Sequence, residues 1–257
     1  MLMFVVAVAL VGPLLAPHPL TQPIGIPGTG PSAAAPLGTD FLGRDVLSRV
    51  LFGGLPVLWL SVVSVVATYV VGMGVGMVAG LSRSWLDPLL MRGVDVLIVF
   101  PPLLLLLVLV AGAGTGTGIL LIGIVVVLSP GVARIVRTAT LEVSTASYVE
   151  AAVARGERTF AIMRREILPN ITASVVADAG VRFLGAIFLV ASLNFLGVGS
   201  QPPAANWGLM IAENREVIST NIWAVAAPAL MLAFLAISVN LIGDAYVHSL
   251  DRSGSRP

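Results

Sequence analysis

From position 55 to position 81 the chain runs for twenty-seven residues without a charged side chain. A helix needs about 17–25 apolar residues to cross the roughly 30 Å hydrocarbon core of a bilayer, and in lipid every backbone N–H must find its acceptor within the protein. Further apolar runs, with few or no charges, cover residues 94–111, broken by Pro101 and Pro102, then 119–132, 171–196 and 222–242. Leu2–Leu15 is short for a span and lacks the basic leader of a signal peptide; we read it as a first transmembrane helix trimmed at its N-terminal side, or as a start placed too late. Composition agrees, since 57% of residues are hydrophobic and mean hydropathy is +1.01, against roughly 45–50% apolar in soluble domains. The expected fold is all-α: a polytopic bundle of about six spans. Residues 1–54 would hold the first helix, a connector rich in proline and an entry helix, and residues 55–257 the core, with a charged loop at 134–170.

Several chemistries are excluded outright. Cysteine is absent, which removes disulfides, zinc–thiolate sites and thiol nucleophiles. Every basic residue other than the two histidines is arginine, so no phosphate-loop lysine and no lysine Schiff base exists here. His18 lies in the proline-rich connector and His248 in the tail, with no evident partner, which argues against a metal site or proton relay. Catalysis by this chain is not expected, and a net charge of +1 without a clustered basic face gives nucleic acid no footprint.

The arginines inform by position. Short cytoplasmic loops are enriched in Lys and Arg. Arg134, Arg137, Arg155, Arg158, Arg164 and Arg165 lie between the fourth and fifth runs, Arg83 and Arg92 about the loop between the second and third, and Arg252 and Arg256 at the end. With six spans all of these share one side, read as the cytoplasm, which also places both termini there. The spacing of Gly72, Gly74, Gly76 and Gly80 predicts close approach of a neighbouring helix.

The loop itself reads YVEAAVARGERTFAIMRREILPN at residues 148–170. Ser147 and Glu150 have the spacing of a capping box, and Tyr148, Val149, Ala152 and Val153 recur at helical spacing. Gly156 predicts a turn, Phe160, Met163 and Ile167 a second helical face, and Pro169 its end. A solvated linker and a lipid-surface helix are the alternatives. The small side chains of Ala151, Ala152, Ala154 and Gly156 favour docking into a partner's groove.

This segment resembles the EAA loop of ATP-binding-cassette importer permeases, whose pattern is EAA-x3-G-x9-I-x-L-P. Glu150, Ala151, Ala152, Gly156, Leu168 and Pro169 fall in register, and Glu166 stands at the isoleucine position. The resemblance implies that Glu150, Ala151, Ala152, Arg155, Gly156 and Glu157 form a coupling helix that docks on an ATPase subunit. Residues 37–49, LGTDFLGRDVLSR, are similar to the LGTD-x-x-GRDV-x-SR signature of the dipeptide, oligopeptide and nickel permease family on its C-type subunit, and supply Gly38, Asp40, Gly43, Arg44, Asp45 and Arg49. Residues 195–208 are similar to its FLGLG-x-x-PP-x-x-x-WG element, with Gly197 and Trp207.

The resemblance implies a type I importer permease, a homologous B-type permease as partner, two ATP-binding subunits that carry ATP and Mg in place of any cofactor in this chain, and an extracytoplasmic binding protein. It implies a bacterial plasma membrane location and a peptide substrate, with nickel or another small solute as the alternative.

Taken as residues alone, Asp40 with Arg44 and Asp45 with Arg49 read as self-neutralising pairs on an exposed helix entry, worth about 0.2–0.5 kcal/mol each. Asp178 and Arg182 have pairing spacing, and together with Asp95 and Asp244 are expected towards cytoplasmic helix ends. Trp59, Trp207 and Trp223 suit interfacial belts. An ion-coupled carrier is the competing function and needs ionisable or unwound sites near the midplane; a structural scaffold would leave the loop motif unexplained.

Overall fold

The computed structural model describes the backbone of residues 1–82 and 84–254, and within that range every side chain except those of Ala173, Asp244 and residues 246–254. The expectations for Arg83, Arg252 and Arg256, for the side chain of Asp244 and for that of His248 lie outside the described residues. The helices are α1 (Leu2–Leu15), α2 (Val46–Leu81), α3 (Leu86–Val99), α4 (Pro102–Ala113), α5 (Thr117–Ser144), α6 (Ser147–Ala154), α7 (Thr159–Ile162), α8 (Leu168–Phe195), α9 (Trp207–Glu213) and α10 (Trp223–Gly254). A π turn, Met163–Ile167, joins α7 to α8. Among the described residues extended pairing is limited to two isolated bridges, Pro23 with Arg44 and Thr39 with Asp45.

α2 and α5 run side by side in the same direction. Gly72 packs on Val132, Gly76 on Ala133 and Val136, and Gly80 on Thr140, so close that an added Cβ would come within 2.6–2.7 Å of these neighbours. These three glycines share a face because they are four residues apart. Gly74 does not belong with them: it points away, with nothing within 4 Å. Parallel neighbours require the intervening chain to return across the bilayer. Thr117, where α5 begins, lies beside Leu55 and Leu60 of early α2, so α3 and α4 together form that returning span.

They do so with a bend of 95°. Phe100 and Pro101 are both extended, because a residue before proline is driven out of the helical region and proline cannot donate to the ladder. α8 and α10 complete the set, giving five crossings among the described residues. α1 packs antiparallel on the start of α2, Gly12 against Leu51 and Ala9 against Gly54. Its 14 residues amount to about 21 Å at 1.5 Å per residue, less than a full crossing.

The bundle has two cores. One holds Val57, Leu106, Ile124, Leu193, Trp207, Met210 and Leu235. The other, towards the arginine-rich end, holds Val132, Val136, Val149, Ala152, Ile162, Ile167 and Ile171.

Candidate functional site

The arginine-rich end carries an elbow built from α6, α7 and the π turn. Its buried stripe is Val149 and Ala152 from α6, followed by Ile162, Ile167 and Ile171, all set against Val132, Val136 and Ala139 of α5. The spacing from Ile162 to Ile167 is five residues, which an α-helix would carry off the face and the wider π turn restores. Phe160 consequently leaves the face expected for it and stands 74% exposed.

Ser147 and Pro169 take roles other than those their spacing predicts. Ser147 is the first helical residue and not a cap; Ala146 holds the cap position, its carbonyl accepting from the N–H groups of Val149 and Glu150. With only Thr145 and Ala146 between α5 and α6, the chain has no room for a capping box. Pro169 does not end the helix either. The N–H of Leu168 donates five residues back to Met163, and the proline sits where a π turn hands over to α8, so its missing donor breaks no regular α-helical ladder.

Gly156 makes the turn at φ +75 with nothing within 4 Å of a Cβ placed on it. That conformation disfavours other residues, and the space around it is open. Glu150, Ala151 and Arg155 are exposed and Ala152 is buried. Glu157 accepts from Arg155 at 2.7 Å. Tyr148, Val153 and Phe160 are exposed apolar side chains on the same elbow, interleaved with the exposed Arg155, Arg158, Arg164 and Arg165. The elbow is thus anchored along one face and presents an apolar and cationic surface on the other.

At the opposite end, residues 37–49 are not an exposed helix entry. Residues 37–44 fold as tight turns, Gly38 and Gly43 taking φ +74 and +76, and their glycines lie against the backbone of Thr29 and Gly25. Asp40 is fully buried and gathers four donors: the N–H groups of Leu42 and Arg44 at Oδ1, and Arg44 Nε and Arg49 Nη1 at Oδ2, both 2.7 Å. The Asp45–Arg49 pair is not formed. Asp45 caps α2 instead, accepting from the N–H and hydroxyl of Ser48, while Arg49 turns to Asp40 and donates to Glu213 of α9 at 2.8 Å. His18 is not isolated: its Nδ1 lies 3.5 Å from Asp45, so the connector folds back onto this cluster.

Trp207 is not an interfacial tryptophan. It is fully buried across Gly53 and Gly54 of α2, where any Cβ would come within 2.8 Å of its ring, and Nε1 donates to the carbonyl of Val50. Gly197 takes φ +73 after α8, and Asn206 caps α9 through the N–H of Gly208. Trp59 and Trp223 are exposed, as belts require. Sequence spacing missed Glu213 and Asn221, since the partners are far away in the chain: Asn221 donates to the carbonyls of Leu37 and Thr39.

Between the two ends, Asp178 and Arg182 pair at 2.9 Å, and the hydroxyl of Tyr69 donates to the same carboxylate. Asp95 receives Arg134, and Asp87 receives Arg137 through two bonds of 2.6 Å, which ties α3 to α5.

Residues 72–254 match the family described as binding-protein-dependent transport system inner membrane component. The chain is 35% identical to the di/tripeptide transport system permease protein of Pseudomonas aeruginosa, over 97% of this chain and 85% of that protein. It is 34% identical to the glutathione transport system permease protein of Pectobacterium atrosepticum, over 86% and 74%. A dipeptide transport system permease protein of Bacillus subtilis is 33% identical, over 97% and 79%. In fold the chain is similar to an inward-facing methionine ABC transporter, with TM-score 0.63 and 21% identity, over 78% of this chain and 95% of that one.

Proposed function

The chain belongs to the binding-protein-dependent transport system inner membrane components, and from that premise we propose that it is the C-type permease of an ATP-driven importer carrying dipeptides or oligopeptides across a bacterial plasma membrane. The relatives named for di/tripeptide, dipeptide and glutathione transport support the substrate class. A B-type permease completes the path, two ATPase subunits hold ATP and Mg, and a binding protein delivers solute from outside. The elbow and the C-terminus face the cytoplasm, in keeping with the arginine distribution.

The observation that carries the coupling is the anchored elbow. Val149, Ala152, Ile162 and Ile167 seat it on α5, so a push on Glu150, Ala151, Arg155, Gly156 and Glu157 reaches the bundle with little loss in soft contacts. Tyr148, Val153 and Phe160 form the apolar centre of the docking surface and the arginines its rim. Closure of the ATPases favours one of two bundle states by differential binding at the elbow.

The test is purification of the chain from membranes together with solute uptake into vesicles. An ATPase is expected to accompany the chain and uptake to stop when ATP is withdrawn. If no ATPase accompanies it, and uptake continues on an ion gradient alone, the reading is lost. Gly156→Val is expected to keep membrane insertion and abolish ATP-dependent uptake; normal uptake by that variant argues against docking at the turn.

A further inference from the structure

Arg182 does not lie at a helix end. It is the ninth residue of the apolar portion Ser174–Phe195, about 12 Å inside at 1.5 Å per residue. Its guanidinium rests on Gly131 of α5, where a Cβ would meet Nη1 and Nη2 at 2.6 and 2.7 Å. Both groups line a cavity of about 380 Å³ together with Phe100 and Pro102 at the bend of α3 and α4, Leu128, and Arg134. A broken span, a glycine that clears space and an arginine therefore converge at one depth.

Asp178 engages Nε of Arg182. Among the described residues no side chain or carbonyl accepts from its terminal nitrogens, and the side chain retains 22% exposure. Their paired N–H groups match the two oxygens of a carboxylate. Pro101 and Pro102 carry no N–H, so the free donors at the start of α4 are the N–H groups of Leu103 and Leu104, which lack acceptors within their own helix and add positive potential near the bend. An ionisable group at this depth is costly unless it has a use. Phospholipid headgroups lie at the edge of the hydrocarbon core, some 12 Å away by the same helix rise, so the ligand is a carboxylate on the translocating solute.

We propose that Arg182, facing the bend of α3 and α4, holds the C-terminal carboxylate of a peptide midway across the membrane. This rests on the peptide reading above. The carboxylate binds through the terminal guanidinium nitrogens while Asp178 and Tyr69 fix the orientation of the side chain, and it leaves as the bend changes shape.

The experiment uses the complete importer in proteoliposomes, with radiolabelled dialanine and its C-terminal amide as probes, uptake being corrected for each probe's measured affinity for the binding protein. Arg182→Gln is expected to lower dialanine uptake at least about tenfold, since one charge-assisted hydrogen bond alone is worth about that much and the paired contact is lost, and to leave amide uptake and ATP hydrolysis unchanged. Arg182→Lys is expected to recover part of the loss. The double variant Asp178→Asn, Arg182→Gln removes both charges: uptake that stays low supports the assignment, and recovery would mean that the arginine only balances Asp178. Dialanine uptake at the wild-type level in Arg182→Gln, or equal loss of both probes, overturns the proposal. So does a defect that vanishes in vesicles of neutral phosphatidylcholine, which would assign the guanidinium to a lipid headgroup. If the wild-type importer takes up neither probe, the peptide reading fails first and this assignment falls with it.

Discussion

Asp40→Asn separates a buried charge network from a pair of surface ion pairs. The cluster of Asp40, Glu213, Arg44 and Arg49 is neutral, with two carboxylates against two guanidinium groups. Asparagine preserves volume, and its carbonyl can keep the N–H groups of Leu42 and Arg44, but its NH₂ then faces Arg44 Nε and Arg49 Nη1. Two charge-assisted bonds are lost and the cluster is left at +1 among residues that are essentially buried. Breaking a buried pair from one side costs about 3–5 kcal/mol, whereas the one exposed pair that Asp40 would make at helical spacing forfeits about 0.2–0.5 kcal/mol. Glu213→Gln removes one bond of 2.8 Å to Arg49 and a looser contact of 3.6 Å to Arg44, and its other oxygen already has no partner. It should cost about 1.5–3 kcal/mol. Denaturant titration of the assembled importer in detergent at neutral pH measures both. A loss below about 1 kcal/mol for Asp40→Asn, or a larger loss for Glu213→Gln than for Asp40→Asn, would refute the reasoning.

Trp207→Ala empties the slot over Gly53 and Gly54 and removes the indole hydrogen bond to the carbonyl of Val50. A loss of about 3–5 kcal/mol is expected, read in the same titration. Gly76→Leu should prevent assembly, because its Cβ would lie 2.6 Å from the Ala133 carbonyl, while Gly74→Leu, with nothing within 4 Å, should assemble normally; size-exclusion chromatography of the two variants checks the pair.

The rough placement of the long apolar runs, the helical class and the arginine-rich side were legible in the sequence, because lipid imposes one rule on every segment that crosses it: enough apolar length and no unpaired backbone. The turn at Gly156 was legible for a similar reason, since a glycine between two periodic stretches has a local cause. What the sequence could not settle were partners chosen at a distance. Arg49 takes Asp40 and Glu213 over the nearer Asp45 because Asp45 is occupied by the N-terminus of α2. Trp207 is buried because two glycines 154 and 153 positions earlier leave room for it. Ile162 and Ile167 share a face only through a π turn that no α-helical spacing anticipates. Composition and periodicity thus determined that this chain spans a membrane and that its elbow lies at the arginine-rich end. Only the tertiary structure decided which charges pair, where the returning span bends and what lies at that bend, since these depend on how separate helices meet.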